Sequence, residues 1–321
     1  MQDIIKNFNK QFRAGYEATA DLILPANKQG ICICGIGGSA LPGNLLELYL
    51  EEHNINIPLI LERSYDLPKK INKDWLIICI SYSGNTEEPL SCLKQAQANG
   101  LDVGLISSGG KLKEIAEQNN MPIAIMPKGI QPRMALGYQF SALLGILEKA
   151  ELIKTPEDIL KLESIDPEIQ KDFAKNLAER IKGNIPIVYA SNKLKIIARI
   201  CKIGFNENAK SPAFWNYLPE LNHNEMVGFT KKNNSDFRNF YFIIFKDLND
   251  HLKIQKRMDL TKQILEKQEI KGEIIELKGK TLLEKAFYGI ILSYWISYYL
   301  ALSYNIDPEP VKLVEDFKKL L

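Results

Sequence analysis

Gly35-Ile36-Gly37-Gly38-Ser39 follows the apolar run Gly30-Ile31-Cys32-Ile33-Cys34, and Ser81-Tyr82-Ser83-Gly84-Asn85-Thr86 follows Trp75-Leu76-Ile77-Ile78-Cys79-Ile80. Each pair reads as a strand ending in a small-residue turn that opens a helix. Unpaired backbone N–H groups gather at such a turn, and together with the helix dipole they favour an anion. The second loop adds the hydroxyls of Ser81, Ser83 and Thr86. Neither loop carries the lysine of a nucleotide-hydrolysing loop. The expectation is a phosphate site built on an α/β sheet.

Working outward, apolar runs and helical periodicities alternate. Strands are expected at 30–35, 57–61, 75–80, 102–106 and 122–126, with helices near 38–52, 86–99, 110–119 and 134–151. Continuous apolar strands between amphipathic helices imply a parallel sheet covered on both faces. A leading helix is expected within residues 2–24, with Ile4, Ile5, Phe8, Phe12 and Tyr16 on one side. A second alternation places strands at 186–191, 239–245 and 272–277 and helices at 193–206, 250–268 and 281–303. The expected division is a first domain over 1–151, a charged linker over 152–170 interrupted by Pro156 and Pro167, and a second domain over 171–321 ending in a tail helix.

The length of 321 residues suits two domains of about 150 residues each. A net charge of +2 gives no bulk pull toward nucleic acid or membrane. The polar, mixed-charge N-terminus reads as no signal peptide. The longest apolar stretch, Ala286–Leu302, is interrupted by Gly289, Ser293, Ser297 and tyrosines, and reads as a buried helix rather than a membrane span. Cys32, Cys34, Cys79, Cys92 and Cys201 lack zinc spacing and read as small buried hydrophobes in a reducing compartment, so a cytoplasmic protein is expected. No metal site is expected.

Gly35-x-Gly37-x-x-Ala40 also fits a dinucleotide fingerprint, with Glu62 where a ribose-binding acid belongs. Three features weigh against a nicotinamide-dependent oxidoreductase. Ser39 sets a hydroxyl at the helix start. Pro42 is tolerable only in the first helical turn, which puts the helix start near Leu41. The second hydroxyl-rich loop is one that a dinucleotide domain does not need. The plainer reading of that loop, with Ser and Thr capping the helix, uses the same helix end and is compatible with phosphate binding.

Further candidates lie beyond the loops. Ser107-Ser108-Gly109-Gly110-Lys111 is a third small-residue turn at the same sheet edge, either a connection or a ligand contact. Arg133, after Pro132 at a helix entry, opposes the macrodipole and suggests a cation facing an anionic intermediate. Glu207 ends an apolar helix among amides, either as a solvated acid or as a general base. His223 sits in Pro219-Glu220-Leu221-Asn222-His223-Asn224-Glu225, ringed by polar side chains, whereas His53 and His251 read as surface residues.

Together, Gly-x-Gly-Gly-Ser, Ser-Tyr-Ser-Gly-Asn-Thr-Glu-Glu and Ser-x-Gly-Gly-x-Leu resemble the sugar isomerase (SIS) domain, a flavodoxin-like sheet that binds phosphosugars. Pro132-Arg133, Asn206-Glu207-Asn208-Ala209-Lys210 and the 219–225 motif resemble the bifunctional phosphoglucose/phosphomannose isomerase family, over nearly the whole chain. The resemblance implies two SIS domains, a homodimer with shared active sites, and cofactor-free interconversion of hexose 6-phosphates through an enediol. It further implies Gly38, Ser39, Ser81, Ser83 and Thr86 as the phosphate-binding residues, Glu207 as the base between C1 and C2, and Arg133 as the cation for the enediolate. His223 of the neighbouring subunit is implied as the ring-opening residue, and Lys318, or less well Lys312, as a C-terminal lysine entering the site. The family's mannose activity is associated with a threonine in the C-terminal segment. None occurs between Leu282 and Leu321, so the expectation is firmest for the glucose reaction. The competing function is a non-catalytic phosphosugar sensor, which uses the same loops but needs neither Glu207 nor His223.

Overall fold

The computed structural model describes residues 1–154, 156–230, 237–318 and 320, without the side chain of Pro156. The chain forms two compact units: Lys6–Asp166, and Pro167–Leu321 joined by Met1–Ile5.

The first unit holds β1 (Gly30–Cys34), β2 (Leu59–Glu62), β3 (Trp75–Ile80), β4 (Asp102–Ser107) and β5 (Ile123–Ile125). They form a wholly parallel sheet in the order β2-β1-β3-β4-β5. This is the flavodoxin-like strand order. β1 is buried along its length and β3 from Leu76 onward, as continuous apolar runs require. The leading segment forms two helices, Gln2–Lys6 and Lys10–Glu17, instead of one, with Ile5, Phe8 and Phe12 buried on the expected side. Lys10–Glu17 packs on helix Leu136–Lys149. Within the segment read as a linker, residues Pro156–Glu163 form a helix that packs on Lys10–Glu17. Its proline opens that helix at a position whose N–H has no intrahelical partner to lose.

The second unit holds β6 (Ile185–Ser191), β7 (Phe214–Leu218), β8 (Phe240–Lys246) and β9 (Lys271–Glu276), all parallel in the order β7-β6-β8-β9. β7 lies in a stretch, 206–228, where no apolar run marks a strand in the sequence. It is an edge strand, half-buried along most of its length, so it lacks an apolar run. Helix Lys171–Ile181 forms from a charged stretch and buries Ala174, Leu177, Ala178 and Ile181 on one side. Helix Leu282–Ser303 is long and apolar enough to cross a membrane, yet 72% of its most apolar window is buried inside the protein. It starts with a capping box: Thr281 accepts from the Glu284 N–H, and the Glu284 carboxylate accepts from the Thr281 N–H. The hydroxyls of Ser293 and Ser297 bond back to the carbonyls of Gly289 and Ser293, so the polar interruptions are satisfied within the helix.

All five cysteines are buried free thiols. Four share the first core beside β1 and β3, and burial pushes the Cys201 thiol up to about 12. His53 pairs with Asp158 at 3.2 Å, and His251 Nδ1 accepts the Lys253 N–H at a helix start.

Behind the carboxyl end of β8, Asp250 is 8% exposed and its Oδ2 has no hydrogen-bond partner. Burial raises its carboxyl above the ordinary value, against a hydrogen bond with Ser191 and with the help of neighbouring Asp247. A carboxyl raised on folding is held protonated more tightly in the native state. Its contribution to stability is therefore lost as pH rises from the unfolded value of 3.8 through the folded one. Asp250→Asn is expected to raise the melting temperature at pH 7, with the gain shrinking toward zero below pH 3.8. Thermal melts of both proteins across that range check this.

Candidate active site

In the first unit the chain leaves β1 toward β2 on one side and returns to β3 on the other. The connections from the carboxyl ends of β1 and β3 therefore diverge and open a crevice, where ligands bind in such sheets. Both hydroxyl-bearing loops end there. Residues Gly37–Ala40 form a single 3₁₀ turn that runs straight into helix Leu41–Glu52, with Pro42 in the first turn as expected. Ser39 is 6% exposed, and its Oγ accepts the Tyr82 N–H at 3.1 Å. That bond joins the first loop to the second.

Within the second loop, Ser81 Oγ accepts the Gly84 N–H at 3.1 Å and donates to Thr86 Oγ1 at 3.0 Å. Thr86 occupies the N-cap position of helix Glu87–Ala98 in extended backbone, but its side chain makes no capping bond. The amides of that helix start are left for another acceptor. Ser83 is exposed, and its Oγ accepts the Asn85 N–H at 3.3 Å.

The third turn braces the second loop. Ser108 donates to the Tyr82 carbonyl through both its N–H, at 2.9 Å, and its hydroxyl, at 2.7 Å. Leu112 N–H donates to the Gly84 carbonyl, and Lys111 N–H to Asn85 Oδ1. Gly84 itself has φ +72°, and a Cβ there would lie 1.7 Å from the Gly109 carbonyl oxygen. Tyr82 is the residue that sequence reasoning passed over. Its hydroxyl donates to the Pro127 carbonyl at 2.5 Å and accepts the Ile130 N–H at 3.3 Å, and burial pushes its pKa up. The only sequence signal for it is a large aromatic set between Ser81 and Ser83.

Arg133 comes to the same place. It lies in a 3₁₀ turn, Pro132–Met134, ahead of helix Leu136–Lys149 rather than inside it. A Cβ on Gly38 would meet the Arg133 backbone nitrogen at 2.9 Å, so the first loop rests directly on the arginine's turn. The Arg133 side chain is 3% exposed and donates from Nη1 to Gln131 Oε1 at 3.3 Å. The structure thus brings Gly38, Ser39, Ser81, Thr86 and Arg133 together in one unit, with Ser83 at the loop's exposed tip.

The remaining candidates belong to the second unit. Glu207 is the last residue of helix Lys195–Glu207 and is half-buried. Its neighbours fix that helix end. Asn206 donates to the Ser211 carbonyl at 2.9 Å, buried Asn208 donates to Ser297 Oγ at 2.9 Å, and Lys210 donates to the Glu207 carbonyl at 2.8 Å. His223 ends the 3₁₀ turn Glu220–His223 and is exposed, while the adjacent Leu221 is buried. Lys312 and Lys318 bound a short helix with no buried residue, and both are exposed. Among the described residues, no group of three or more His, Cys, Asp or Glu is placed to hold a metal.

The model of the bacterial phospho-glucose isomerase C-terminal SIS domain matches residues 170–321. A bifunctional phosphoglucose/phosphomannose isomerase of Aquifex aeolicus is 38% identical, over 99% of this chain and 97% of that protein. The chain belongs to the bifunctional phosphoglucose/phosphomannose isomerase family. A second member, from Caldicellulosiruptor bescii, is 36% identical over 100% of this chain and 98% of its own length. The C-terminal domain of glucosamine-fructose-6-phosphate aminotransferase from Francisella tularensis shares the fold, with a TM-score of 0.70 at 15% identity, covering 96% of this chain and 95% of that one. The names of these relatives lend no support to the dinucleotide reading of the Gly35–Ser39 loop.

Proposed function

We propose that the protein interconverts glucose 6-phosphate and fructose 6-phosphate by proton transfer between C1 and C2, with mannose 6-phosphate as a second aldose substrate. The observation that carries this reading is that the linked hydroxyls of Ser39, Ser81 and Thr86 gather at the carboxyl ends of β1 and β3, beside a helix start whose amides no side chain caps. In it, the hydroxyls and free amides bind the 6-phosphate and so fix the position of the reacting carbons. His223, supplied by the partner subunit, moves the proton that opens the sugar ring. Glu207 then carries the proton between C2 and C1, and Arg133 stabilises the negative charge of the enediolate. Lys318 is the C-terminal lysine of this scheme.

Glucose and mannose 6-phosphates differ only at C2 and share a 1,2-enediol, so one base serves both when rotation about the C2–C3 bond turns the other face of C2 toward it. The names of both relatives carry both activities. The sensor alternative draws no support from them. A homodimer fits the exposed apolar side chains Leu313, Phe317 and Leu320 near the C-terminus, which are 88%, 60% and 86% exposed. Five free thiols fit a cytoplasmic location.

The test is a coupled assay supplying fructose 6-phosphate and reading glucose 6-phosphate and mannose 6-phosphate separately. Formation of glucose 6-phosphate is expected, with mannose 6-phosphate as a second product. No turnover by protein with an intact fold overturns the reading.

A further inference from the structure

His223 is exposed, yet the turn that carries it is held on every side. Asn222 donates to Thr261 Oγ1 at 2.9 Å and accepts from Arg257 Nη1 at 3.3 Å, which ties the turn to helix Leu252–Lys267. Asn224 donates to Glu220 Oε1 at 2.8 Å, and its own Oδ1 accepts the Glu225 N–H at 2.6 Å. Leu221 is buried in the core between.

The strongest anchor is Glu225. Its two carboxylate oxygens each accept from a different strand: Tyr189 Oη on β6 donates to Oε1 at 2.5 Å, and Asn216 Nδ2 on β7 donates to Oε2 at 2.5 Å. Asn216 is itself oriented, because its Oδ1 accepts the Tyr217 N–H at 2.8 Å, so its NH₂ faces the carboxylate. Tyr189 is 1% exposed. Burial next to Glu225 holds its hydroxyl protonated, and so it can only donate here. Hydrogen bonds accepted by a carboxylate are stronger than those between neutral groups. They are spent on an acid two residues past an exposed imidazole, where a plain surface turn needs none.

We infer that Glu225, clamped between Tyr189 and Asn216, is a positioning residue that fixes the turn presenting His223 for ring opening. The inference rests on the catalytic reading of His223 and adds three residues to it. A misplacement of about 1 Å in a reacting group can cost about 10²-fold in rate, so a two-point anchor close to the imidazole has a large effect to protect.

The experiment is a double-mutant cycle on fructose 6-phosphate turnover with Glu225→Ala and His223→Ala, reading kcat and KM apart. Spontaneous ring opening leaves the His223→Ala protein a measurable residual rate. Glu225→Ala alone is expected to lower kcat about tenfold or more with KM changed less than about threefold. In the His223→Ala background the same change is expected to cost less than about twofold, because the two residues act as one unit. Tyr189→Phe removes a single hydroxyl and is expected to show the same kcat-only pattern at smaller size. It carries the test if Glu225→Ala does not fold. Equal losses in both backgrounds, or a rise in KM alone, overturn the inference while leaving His223 catalytic. Wild-type turnover by His223→Ala overturns the role of His223 itself, and this inference with it.

Discussion

Glu207→Gln is expected to lower kcat about 10³-fold, within the range that a positioned general acid–base group contributes. The glutamine keeps the size and shape of the side chain but cannot take a proton from carbon. The helix end that carries it is held by Asn206, Asn208 and Lys210, none of which depends on the carboxylate through the bonds described above. The isosteric change is expected to leave the fold standing, and the Gly35–Ser39 and Ser81–Thr86 loops lie in the other unit. KM for fructose 6-phosphate is expected to stay within a few-fold, as for a group whose contribution is made in the transition state. Steady-state kinetics with a melting curve check both parts. A variant that keeps wild-type turnover shows that another group moves the proton.

Gly84→Ala is expected to act at the other end of the substrate. The residue has φ +72°, which an alanine adopts only with strain, and its Cβ would sit 1.7 Å from the Gly109 carbonyl oxygen and 2.7 Å from its carbon. Both obstacles are backbone, so neither can swing aside. The loop must leave the Ser107–Lys111 turn, breaking the bonds from Leu112 to Gly84 and from Lys111 to Asn85. The expected cost is about 3 kcal/mol of stability, typical of strain and overpacking at a fixed backbone site. On the proposed role of Ser81 and Thr86 in holding the 6-phosphate, KM is expected to rise about tenfold or more. This is the opposite split from Glu207→Gln. A melting curve and a saturation curve on the same preparation decide it.

The centre of the first sheet and its two loops are legible because β1 and β3 are continuous apolar runs closed by small residues. Ser39, Ser81 and Thr86 could be placed at the carboxyl ends of β1 and β3 from that pattern alone. What joins them could not. The Ser39–Tyr82 bond and the contact of Gly38 with the Arg133 turn link segments far apart in sequence, and no periodicity encodes them. In the second unit β7 escaped notice because Asn216, in mid-strand, is spent on Glu225 instead of adding to an apolar run. Arg133 looked like a misfit at a helix start. It precedes the helix on a 3₁₀ turn, so the conflict with the macrodipole largely disappears, and its burial against the first loop is what marks it. Glu207 and His223 are singled out by motif alone, and the hydrogen bonds around them show how the neighbouring motif residues hold the helix end and the turn.

The central claim is aldose–ketose isomerisation by one protein base through an enediol. The most direct measurement is NMR of the protein with fructose 6-phosphate in D₂O, following glucose 6-phosphate and the isotope at its C2. Glucose 6-phosphate with part of its C2 hydrogen replaced by deuterium is expected, since the proton held on Glu207 exchanges with solvent between carbons, and both its formation and the exchange are expected to be lost in Glu207→Gln. Fructose 6-phosphate bound with wild-type affinity but neither converted nor exchanged would contradict it.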